Sequence, residues 1–366
     1  MRSLPEYPWD AMTQYAELAS RHPDGPLNIS IGSPVDPAPQ RVRDALAAAT
    51  DAHAYPATAG TPLLREAIAE WFLRRRGVTI APEAVLPTIG SKELVALLPF
   101  LLGIGAGEAV VFPRVAYPSY AMGAELVGAE AIASDDPAEW PANTRLVWLN
   151  SPSNPDGRVL DVSALRAAVA RARELGAVIA GDECYAEFGW EAPWDREAIP
   201  SILDPRVVGD DHTGVLSVYS LSKQSNLAGY RAAFVGGDRE LIESLLTMRK
   251  HTGLMQPAPV QAAMVAALQD ETHVDEQRAR YLARRKLLVP ALIAAGFRIE
   301  GSEAGLYLWA TRGEDAWQSV EAFARLGIVV GPGHFYGDDS PQHVRLALTA
   351  SDEHVAEAAA RIAASR

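Results

Sequence analysis

One lysine stands among polar residues that suit covalent chemistry on a phosphorylated cofactor. Lys223 follows an apolar run at 214–218 that predicts a buried strand, so polar side chains emerge together where that strand ends. Ser220 and Ser222 precede the lysine, and Arg231 follows it. A lysine amine forms a Schiff base with an aldehyde, while hydroxyls and a guanidinium hold a phosphate. The spacing indicates pyridoxal phosphate as the cofactor, although so short a pattern also occurs in surface loops.

A phosphate-binding turn is predicted after a strand at 85–89. Gly90, Ser91 and Lys92 open a helix at this point. Free backbone amides at a helix start, beside a glycine and a hydroxyl, bind phosphate. The alternative is that Ser91 is an ordinary residue at the start of a helix.

Two more predicted strands end in polar residues. Asn150 and Asn154 lie in a proline-rich loop after one strand, and Asp182 and Tyr185 follow the other. A carboxylate at the end of so apolar a strand is costly unless it meets a positive partner, and a protonated ring nitrogen would serve. A structural arginine or a helix cap would also serve, and turn formation alone accounts equally well for Asn150.

Aromatic, small and basic residues complete the candidate contacts. Tyr117 follows a predicted strand, where core packing is the alternative to a ligand contact. Tyr55 lies in a proline- and glycine-rich loop, where it either packs against its neighbours or makes a functional contact. Gly32 ends a short predicted strand, where it permits close approach of a ligand or simply makes a turn. Arg345 lies in an alternating strand on the face opposite its apolar neighbours. It is either a ligand residue or a solvated residue at a sheet edge.

Composition excludes several classes of function. The 366 residues carry a net charge of -13, which disfavours a nucleic acid or an anionic membrane as partner. The single cysteine, Cys184, excludes an internal disulfide, and no cysteine-rich metal pattern occurs. No apolar run approaches the roughly 18 residues of a membrane span, and the N-terminus carries Glu6 and Asp10 instead of a basic leader. A cytoplasmic location is therefore expected.

The chain is long enough for two domains. Strands alternate with helices over about 85–235, which predicts a mainly parallel sheet with its motifs at the strand ends. Beyond residue 241, a long helical stretch interrupted at Pro257 and Pro259 is followed by short strands. We predict an α/β protein with a large cofactor-binding domain at 40–240. A smaller α+β domain is formed by 1–39, which includes an N-terminal arm, and 241–366.

Taken in order, these segments resemble the class I and II aminotransferases, which have the fold type I of pyridoxal-phosphate enzymes. The likeness covers nearly the whole chain. It rests on Gly-Ser-Lys at 90–92, Tyr-Pro-Ser-Tyr at 117–120, Asn-Pro-x-Gly at 154–157, Asp-x-x-Tyr at 182–185, Ser-x-Ser-Lys at 220–223 with Arg231, and Arg-Leu-Ala at 345–347. One departure is Asp156, where the family usually has threonine; Asn154 is retained.

The resemblance implies a role for each candidate. Lys223 would form the Schiff base and shuttle protons, while Asp182 would keep the ring nitrogen protonated and the ring a strong electron sink. Asn154 and Tyr185 would contact the ring hydroxyl of the cofactor, and Tyr117 would stack on the ring face. The phosphate would be bound by Ser91, the amide of Lys92, Ser220, Ser222 and Arg231. Arg345 would clamp the substrate α-carboxylate, helped by Asn150 or Asn154 and by the backbone at Gly32. Tyr55 would reach the phosphate bound by a second copy of the chain, which implies a homodimer.

Within the family, the sequence is similar to the actinobacterial N-succinyldiaminopimelate aminotransferases. The likeness rests on residues 7–10, 149–155, 222–231, 257–263 and 302–309. Such enzymes pass an amino group from L-glutamate to N-succinyl-2-amino-6-oxopimelate in lysine and diaminopimelate biosynthesis. A dicarboxylic substrate needs a second anion site, for which Arg249, Lys250 and Arg21 are open candidates, with surface placement expected for each.

Two other functions stay open on the sequence alone. A pyridoxal-phosphate carbon–sulfur lyase would use the same lysine, aspartate and arginine, and the motifs around the cofactor do not separate it from an aminotransferase. A non-catalytic regulator built on this fold would need an added DNA-binding domain. The acidic chain, which begins directly with aminotransferase-like sequence, disfavours the regulator.

Overall fold

The computed structural model describes residues 8–365, and Tyr7 and the rest of segment 1–7 of the predicted N-terminal arm lie outside them. Its strands are Leu27–Asn28 (β1), Val85–Ile89 (β2), Ala109–Phe112 (β3), Glu130–Ala133 (β4), Thr144–Asn150 (β5), Val178–Asp182 (β6), Val215–Ser220 (β7), Ala232–Gly237 (β8), Arg298–Ile299 (β9), Tyr307–Thr311 (β10), Ile328–Val329 (β11), Gly331–Pro332 (β12) and His343–Ala347 (β13). Its α-helices are Thr13–Ala19 (α1), Gln40–Ala48 (α2), Pro62–Trp71 (α3), Ser91–Leu101 (α4), Ser119–Val127 (α5), Val162–Leu175 (α6), Pro205–Val208 (α7), Leu221–Gln224 (α8), Arg239–Thr252 (α9), Ala258–Leu268 (α10), Thr272–Ala294 (α11), Ala316–Arg325 (α12) and Asp352–Ala364 (α13).

Within residues 8–365, seven strands form one sheet in the order β2-β8-β7-β6-β5-β3-β4. Strands β4, β3, β5, β6 and β7 run parallel to one another, whereas β8 is antiparallel to both β7 and β2. Every residue of β7 is buried, as expected where helices cover both faces of a sheet. The mainly parallel α/β fold predicted from the sequence is confirmed.

Helices pack on both faces of this sheet. On one face α3, α6 and α10 contribute side chains such as Leu64, Leu165 and Met264 to a common core. On the other face α4, α5 and α9 form a second core, to which Leu94 and Tyr120 contribute. Central strands such as β7 and β8 are therefore buried on both faces and do not show the alternation of a half-exposed strand, whereas the edge strand β4 is largely exposed.

A second sheet lies towards the C-terminus. In the described part of the chain it has the order β12-β13-β10-β9, with antiparallel pairing throughout. It shares a core with α1, α11, α12 and α13, while β1 pairs in parallel with β11. This is the α+β part expected beyond the large sheet. The division at 40–240, with 1–39 and 241–366, stays a prediction; α10, which follows residue 240, packs in the core of the large sheet.

Strand register decides which side chains can meet. In the large sheet Asn150 of β5 pairs with Asp182 of β6, and Asp182 pairs with Val218 of β7. Ser220 ends β7. The carboxyl ends of three parallel strands therefore lie side by side, which is where open α/β sheets bind ligands. Among residues 8–365, no helix combines the length and the apolarity needed to span a membrane.

Helix boundaries follow the local sequence. Helix α6 begins where the Asp161 carboxylate accepts a hydrogen bond from Ala164 N at 2.8 Å, and it ends at Gly176, whose φ of +65° is left-handed. Helix α4 begins differently, because the preceding Gly90 has no side chain with which to cap it. Its first-turn amides are left for another acceptor.

A buried ion pair anchors the loop that follows β6. Glu183 Oε1 accepts hydrogen bonds from Ser201 Oγ at 2.9 Å and Ile202 N at 2.6 Å. Its Oε2 lies 3.2 Å from Arg76 Nη2, and both side chains are buried. Glu183, the residue next to Asp182, is thus held in place by Arg76 and by the segment at 201–202.

We expect Glu183→Ala to lower the free energy of unfolding by about 3–5 kcal/mol, because the Arg76 charge would remain buried without a partner. Urea denaturation followed by circular dichroism measures the change. Glu321→Ala is the control, since Glu321 pairs with Arg325 across an exposed helical turn and such pairs contribute about 0.3–0.5 kcal/mol. Equal, small losses in both variants would contradict the anchoring role of Glu183.

Candidate active site

Lys223 lies in the short helix α8, directly after β7. Its Nζ donates a hydrogen bond to the carbonyl of Gly32, in the segment between β1 and α2. Burial lowers the pKa of the Lys223 ammonium, and Arg345 acts in the same direction, while Tyr307 opposes the change. A lowered pKa increases the fraction of free amine, which is the nucleophilic form.

Asp182 is a buried carboxylate whose hydrogen bonds come from neutral donors. Its Oδ2 accepts from Tyr120 OH at 2.9 Å, and its Oδ1 accepts from Cys184 N at 3.3 Å. Burial raises the pKa of Asp182, and the hydrogen bonds from Cys184 and Tyr120 oppose that rise. Within residues 8–365 no arginine, lysine or histidine pairs with this carboxylate. The alternative of a structural arginine partner for Asp182 is therefore wrong.

Sequence reasoning missed Tyr120. The side chain is fully buried and stacks on Trp148 with 5.3 Å between ring centroids. Tyr117, which the sequence singled out, is half-buried and lies edge-on to Tyr120 at 6.1 Å. The available signal was the spacing of the two tyrosines, since Tyr117 lies just before α5 and Tyr120 in its first turn, where Tyr120 N donates to Tyr117 O at 3.2 Å.

Arg231 packs across the start of α4. A Cβ added to Gly90, whose φ is +75°, would lie only 2.1 Å from Arg231 Nη2 and 2.6 Å from its guanidinium carbon. Arg231 itself has a left-handed φ of +54°, and its Nη1 donates to Ala228 O at 2.9 Å. Glycine is thus required at position 90 to bring a guanidinium beside uncapped helix amides.

Hydroxyls of the β7–α8 turn and the first residues of α4 are further candidate phosphate contacts. Ser220 Oγ donates to Ser222 Oγ at 2.8 Å and accepts from Ser222 N at 3.1 Å. Ser91 is the first residue of α4. Lys92 is exposed, with Nζ 5.8 Å from the centroid of the Tyr117 ring. These groups come from segments far apart in sequence, which the sheet brings to one edge.

Arg345 is buried, with 4% of the residue exposed. Its Nη1 donates to Asn154 Oδ1 at 2.8 Å, and its Nη2 donates to Ser30 O at 2.6 Å. The guanidinium carbon lies 4.0 Å from the centroid of the Tyr307 ring and 4.8 Å from that of Tyr336. Strand β13 lies between β12 and β10, so the interpretation of Arg345 as a solvated edge residue is wrong.

The two asparagine candidates have different surroundings. Asn150 Nδ2 donates to Asp182 O at 2.9 Å and Pro152 O at 3.2 Å, and Asn150 Oδ1 accepts from Asn154 N at 2.7 Å. These bonds hold the loop after β5 against the end of β6. Of the two, Asn154 is the one whose side chain contacts Arg345.

A pair of buried tyrosines lies near Arg345, and one of the two, Tyr307, is also near Lys223. Tyr185 OH and Tyr307 OH are 3.3 Å apart. Burial raises the pKa of Tyr185; burial would also raise the pKa of Tyr307, but Arg345 and Lys223 outweigh it and lower that pKa. A Cβ on Gly32 would lie 2.0 Å from Tyr307 OH, so glycine is needed there for close approach. Tyr307 was not a sequence candidate, because its strand shows no polar alternation.

The remaining candidates differ in burial. Tyr55 is 96% exposed. Lys250 and Arg21 are exposed. Surface placement is wrong for Arg249, which is fully buried and binds Glu93 of α4 through Nη1 at 2.8 Å and Nη2 at 3.1 Å. This pairing removes Arg249 from the candidates for a second anion site.

The comparisons with known proteins agree with this geometry. The family model described as aminotransferase class I and II matches residues 24–362. The 4-dedimethylamino-4-oxo-anhydrotetracycline transaminase OxyQ of Streptomyces rimosus is 56% identical, over 99% of this chain and 100% of that protein. An LL-diaminopimelate aminotransferase of Dehalococcoides mccartyi is 30% identical, over 92% of this chain and 90% of that protein. A solved structure of a Thermus thermophilus aspartate aminotransferase double mutant has a TM-score of 0.87 and 25% identity, over 100% of both chains.

The chain therefore belongs to the class I and II aminotransferases. Its cofactor is pyridoxal phosphate, as in the family. Family membership favours the aminotransferase over the lyase and the regulator, while its relatives act on substrates as different as a tetracycline ketone and diaminopimelate.

We expect Gly90→Ala to raise the dissociation constant for pyridoxal phosphate at least about tenfold, because a Cβ displaces Arg231 and a hydrogen bond to a charged group contributes about 1.5–3 kcal/mol. Titration of the cofactor-free protein followed by absorbance measures this constant. Gly103→Ala, at the other end of α4, is the matched control: its φ is also +75°, but a Cβ there meets no atom within 4 Å among the described residues. Unchanged affinity in Gly90→Ala would contradict phosphate binding by Arg231.

Proposed function

We propose that the protein transfers an amino group between L-glutamate and N-succinyl-2-amino-6-oxopimelate, giving 2-oxoglutarate and N-succinyl-LL-2,6-diaminopimelate. One observation supports this most strongly: a partly buried amine, Lys223, and a buried guanidinium, Arg345, both lie close enough to Tyr307 to lower the pKa of its hydroxyl. An amine suits covalent work at Cα, and a guanidinium suits the carboxylate attached to Cα.

The donor set fits pyridoxal phosphate. Asp182 is a buried carboxylate without a cationic partner among the described residues, which suits a protonated ring nitrogen. The uncapped start of α4 and Arg231 suit a phosphate, together with the hydroxyls of Ser91, Ser220 and Ser222 and the amide of Lys92. Asn154 and Tyr185 are the proposed contacts of the ring hydroxyl, and Tyr117 is the proposed contact of the ring face.

When bound, pyridoxal phosphate supplies an electron sink that makes the α-proton of an amino acid acidic. Asp182, of which 7% is exposed, would support that chemistry by holding the ring nitrogen proton. Lys223 Nζ removes the proton at the substrate Cα, and its lowered pKa increases the fraction of the amine that is free to act as a base. Tyr307 lies close enough to Lys223 to raise the pKa of its amine in part, and Tyr185 OH is 3.3 Å from Tyr307 OH.

Arg345 binds the substrate α-carboxylate in this proposal. Asn154 and Ser30 already fix the orientation of its guanidinium, so little freedom is lost when a carboxylate binds. Gly32 adds a backbone contact, and Asn150 supports the loop that carries Asn154. The second anion site for the distal carboxylate and succinyl group has no assigned residue.

Support for the succinylated substrate comes from the resemblance to the actinobacterial enzymes and from relatives that are LL-diaminopimelate aminotransferases. A second candidate is a ring ketone like 4-dedimethylamino-4-oxo-anhydrotetracycline, which the identity of 56% to its transaminase favours. Arg345 serves L-glutamate in either case. The candidates differ only in the second half-reaction, in which the amino group passes from the enzyme to the acceptor ketone. N-succinyl-2-amino-6-oxopimelate carries a carboxylate beside its ketone, whereas the ring ketone is not an α-keto acid.

The proposal includes a homodimer in which Tyr55 reaches the phosphate bound by a second copy of the chain. An aromatic side chain exposed to 96% in the single chain supports this, because large exposed rings are enriched at interfaces. Light scattering of the protein with pyridoxal phosphate is expected to give twice the mass of the chain, and a monomer would overturn this part of the proposal.

Absorbance spectra test the substrate directly. Purified protein with pyridoxal phosphate is mixed with L-glutamate or with N-succinyl-LL-diaminopimelate in separate samples. We expect the visible absorption band of the lysine-bound cofactor to be lost in both samples, with 2-oxoglutarate and the succinylated keto acid as the respective products.

Arg345→Lys should lower kcat/KM for both substrates about 10- to 100-fold, because a lysine cannot reproduce the two-point contact of a guanidinium.

Other outcomes decide between the candidates. If the glutamate-treated protein aminates the tetracycline ketone and N-succinyl-LL-diaminopimelate leaves the spectrum unchanged, the second candidate replaces the first. A spectrum unchanged by both amino acids would overturn the proposed substrates and leave the family membership intact. Lys250→Ala, at an exposed position, serves as the control for general effects of removing a positive charge.

A further inference from the structure

A buried glutamine on α11 joins two loops of the site. Gln277 Oε1 accepts a hydrogen bond from Asn226 Nδ2 at 2.9 Å, and Gln277 Nε2 donates to Asp36 Oδ2 at 2.8 Å. Only 2% of Gln277 is exposed. One amide group therefore uses both its donor and its acceptor to connect segments that are far apart in the sequence.

Arg284, two helical turns further along α11, extends this connection. Its Nη1 and Nη2 donate to Asp36 Oδ2 at 2.9 Å and Oδ1 at 2.7 Å, which is a two-point contact. Nη1 also donates to Leu348 O at 3.2 Å, just beyond β13. Burial would raise the pKa of Asp36, but the hydrogen bonds from Arg284 and Gln277 outweigh it and lower that pKa. Asp36 is thus held as a carboxylate that accepts from both partners.

The joined segments are those that carry the proposed site. Asn226 lies three residues after Lys223, Asp36 four residues after Gly32, and Leu348 three residues after Arg345. Neither of the first two segments is held by a long helix or strand. Residues 29–39 form no helix or strand, and Lys223 lies in a helix of only four residues, after which Asn226 adopts a left-handed φ of +56°. Side-chain contacts must therefore fix their relative position.

We propose that Gln277 is a positioning residue that sets the distance between Lys223 and the segment 29–37. Through Asn226 it fixes the chain reversal after Lys223, and through Asp36 it fixes the segment whose Gly32 carbonyl accepts from the lysine and whose Ser30 carbonyl accepts from Arg345. The inference rests on the proposed roles of Lys223 and Arg345 for its effect on catalysis. Its structural part does not depend on them.

Catalysis is sensitive to such positioning, because small displacements of reacting groups cost large factors in rate. Gln277 touches neither the substrate nor the cofactor in the proposed site. Its loss should therefore lower kcat through the placement of Lys223, beyond any effect on stability. A merely structural role would lower stability and leave kcat near that of the parent protein.

The test compares three variants purified with pyridoxal phosphate. Gln277→Leu has nearly the same volume and loses both hydrogen bonds. Gln277→Glu keeps an acceptor for Asn226 and places a carboxylate against that of Asp36. Thr144→Val is the control: Thr144 is fully buried and donates to Pro141 O at 2.7 Å, but it lies at the start of β5, away from the strand ends of the site.

Hydrogen exchange read by mass spectrometry gives the structural result. In Gln277→Leu we expect amide exchange at least about tenfold faster in 29–37 and in 221–227, as expected when about 1.4 kcal/mol of local stability is lost. In Gln277→Glu the faster exchange should be confined to 29–37. Thr144→Val should leave both segments unchanged.

Steady-state kinetics with L-glutamate and 2-oxo acid substrates give the functional result. Gln277→Leu should lower kcat about tenfold or more while its urea midpoint stays close to that of Thr144→Val. Faster exchange restricted to α11, or an unchanged kcat, would overturn the proposal. If exchange rises in both segments but no variant or parent transaminates these substrates, the proposed function fails and the positioning of the segments stands.

Discussion

Burial of charge is the constraint on which the rest of this structure depends. Asp182 ends a strand with helices on both sides, and burial raises its pKa, so the carboxylate needs donors from several directions. Tyr120 from α5 and the amide of Cys184 supply two, and no cation of the described chain supplies the third. A buried carboxylate whose hydrogen-bond donors are neutral, with no cationic partner among the described residues, suits a positively charged group. The pyridine nitrogen of the family's cofactor, when protonated, meets that need.

The pairing of strands in the large sheet brings further residues of the candidate site close to Asp182. Because β5, β6 and β7 are parallel and in register, Asn150 and Asp182 lie side by side, with Ser220 ending the third strand. The second sheet contributes Arg345, whose guanidinium reaches the loop after β5 through Asn154. Helix α11 then connects loops that the two sheets leave without regular structure. Asp182, Ser220 and Arg345 are positioned by strands whose neighbours are buried, which keeps their polar contacts in fixed directions.

Sequence reasoning reached the parts of the site whose chemistry is local. Lys223, with its serines and Arg231, is recognisable because these residues follow one strand within a few positions of each other. Tyr120 and Tyr307 were missed because their roles depend on the neighbours that packing gives them, Asp182 in one case and Arg345 in the other. The sequence allowed a surface position for both Arg249 and Arg345, because a buried arginine can be recognised only from the residues that it binds. For the same reason the contacts of Gln277, which join residues far apart in the chain, leave no pattern in the sequence.

The central claim is that Lys223 is the residue that carries the cofactor, and one measurement tests it most directly. The chain has four lysines, of which Lys92, Lys250 and Lys286 are exposed and Lys223 alone is partly buried. Borohydride reduction of the protein with stoichiometric pyridoxal phosphate fixes the cofactor to the amine that holds it, and peptide mass spectrometry locates the label. We predict a phosphopyridoxyl group on Lys223 and its loss when L-glutamate is added before reduction. A label spread over the exposed lysines, or unaffected by glutamate, would contradict the account.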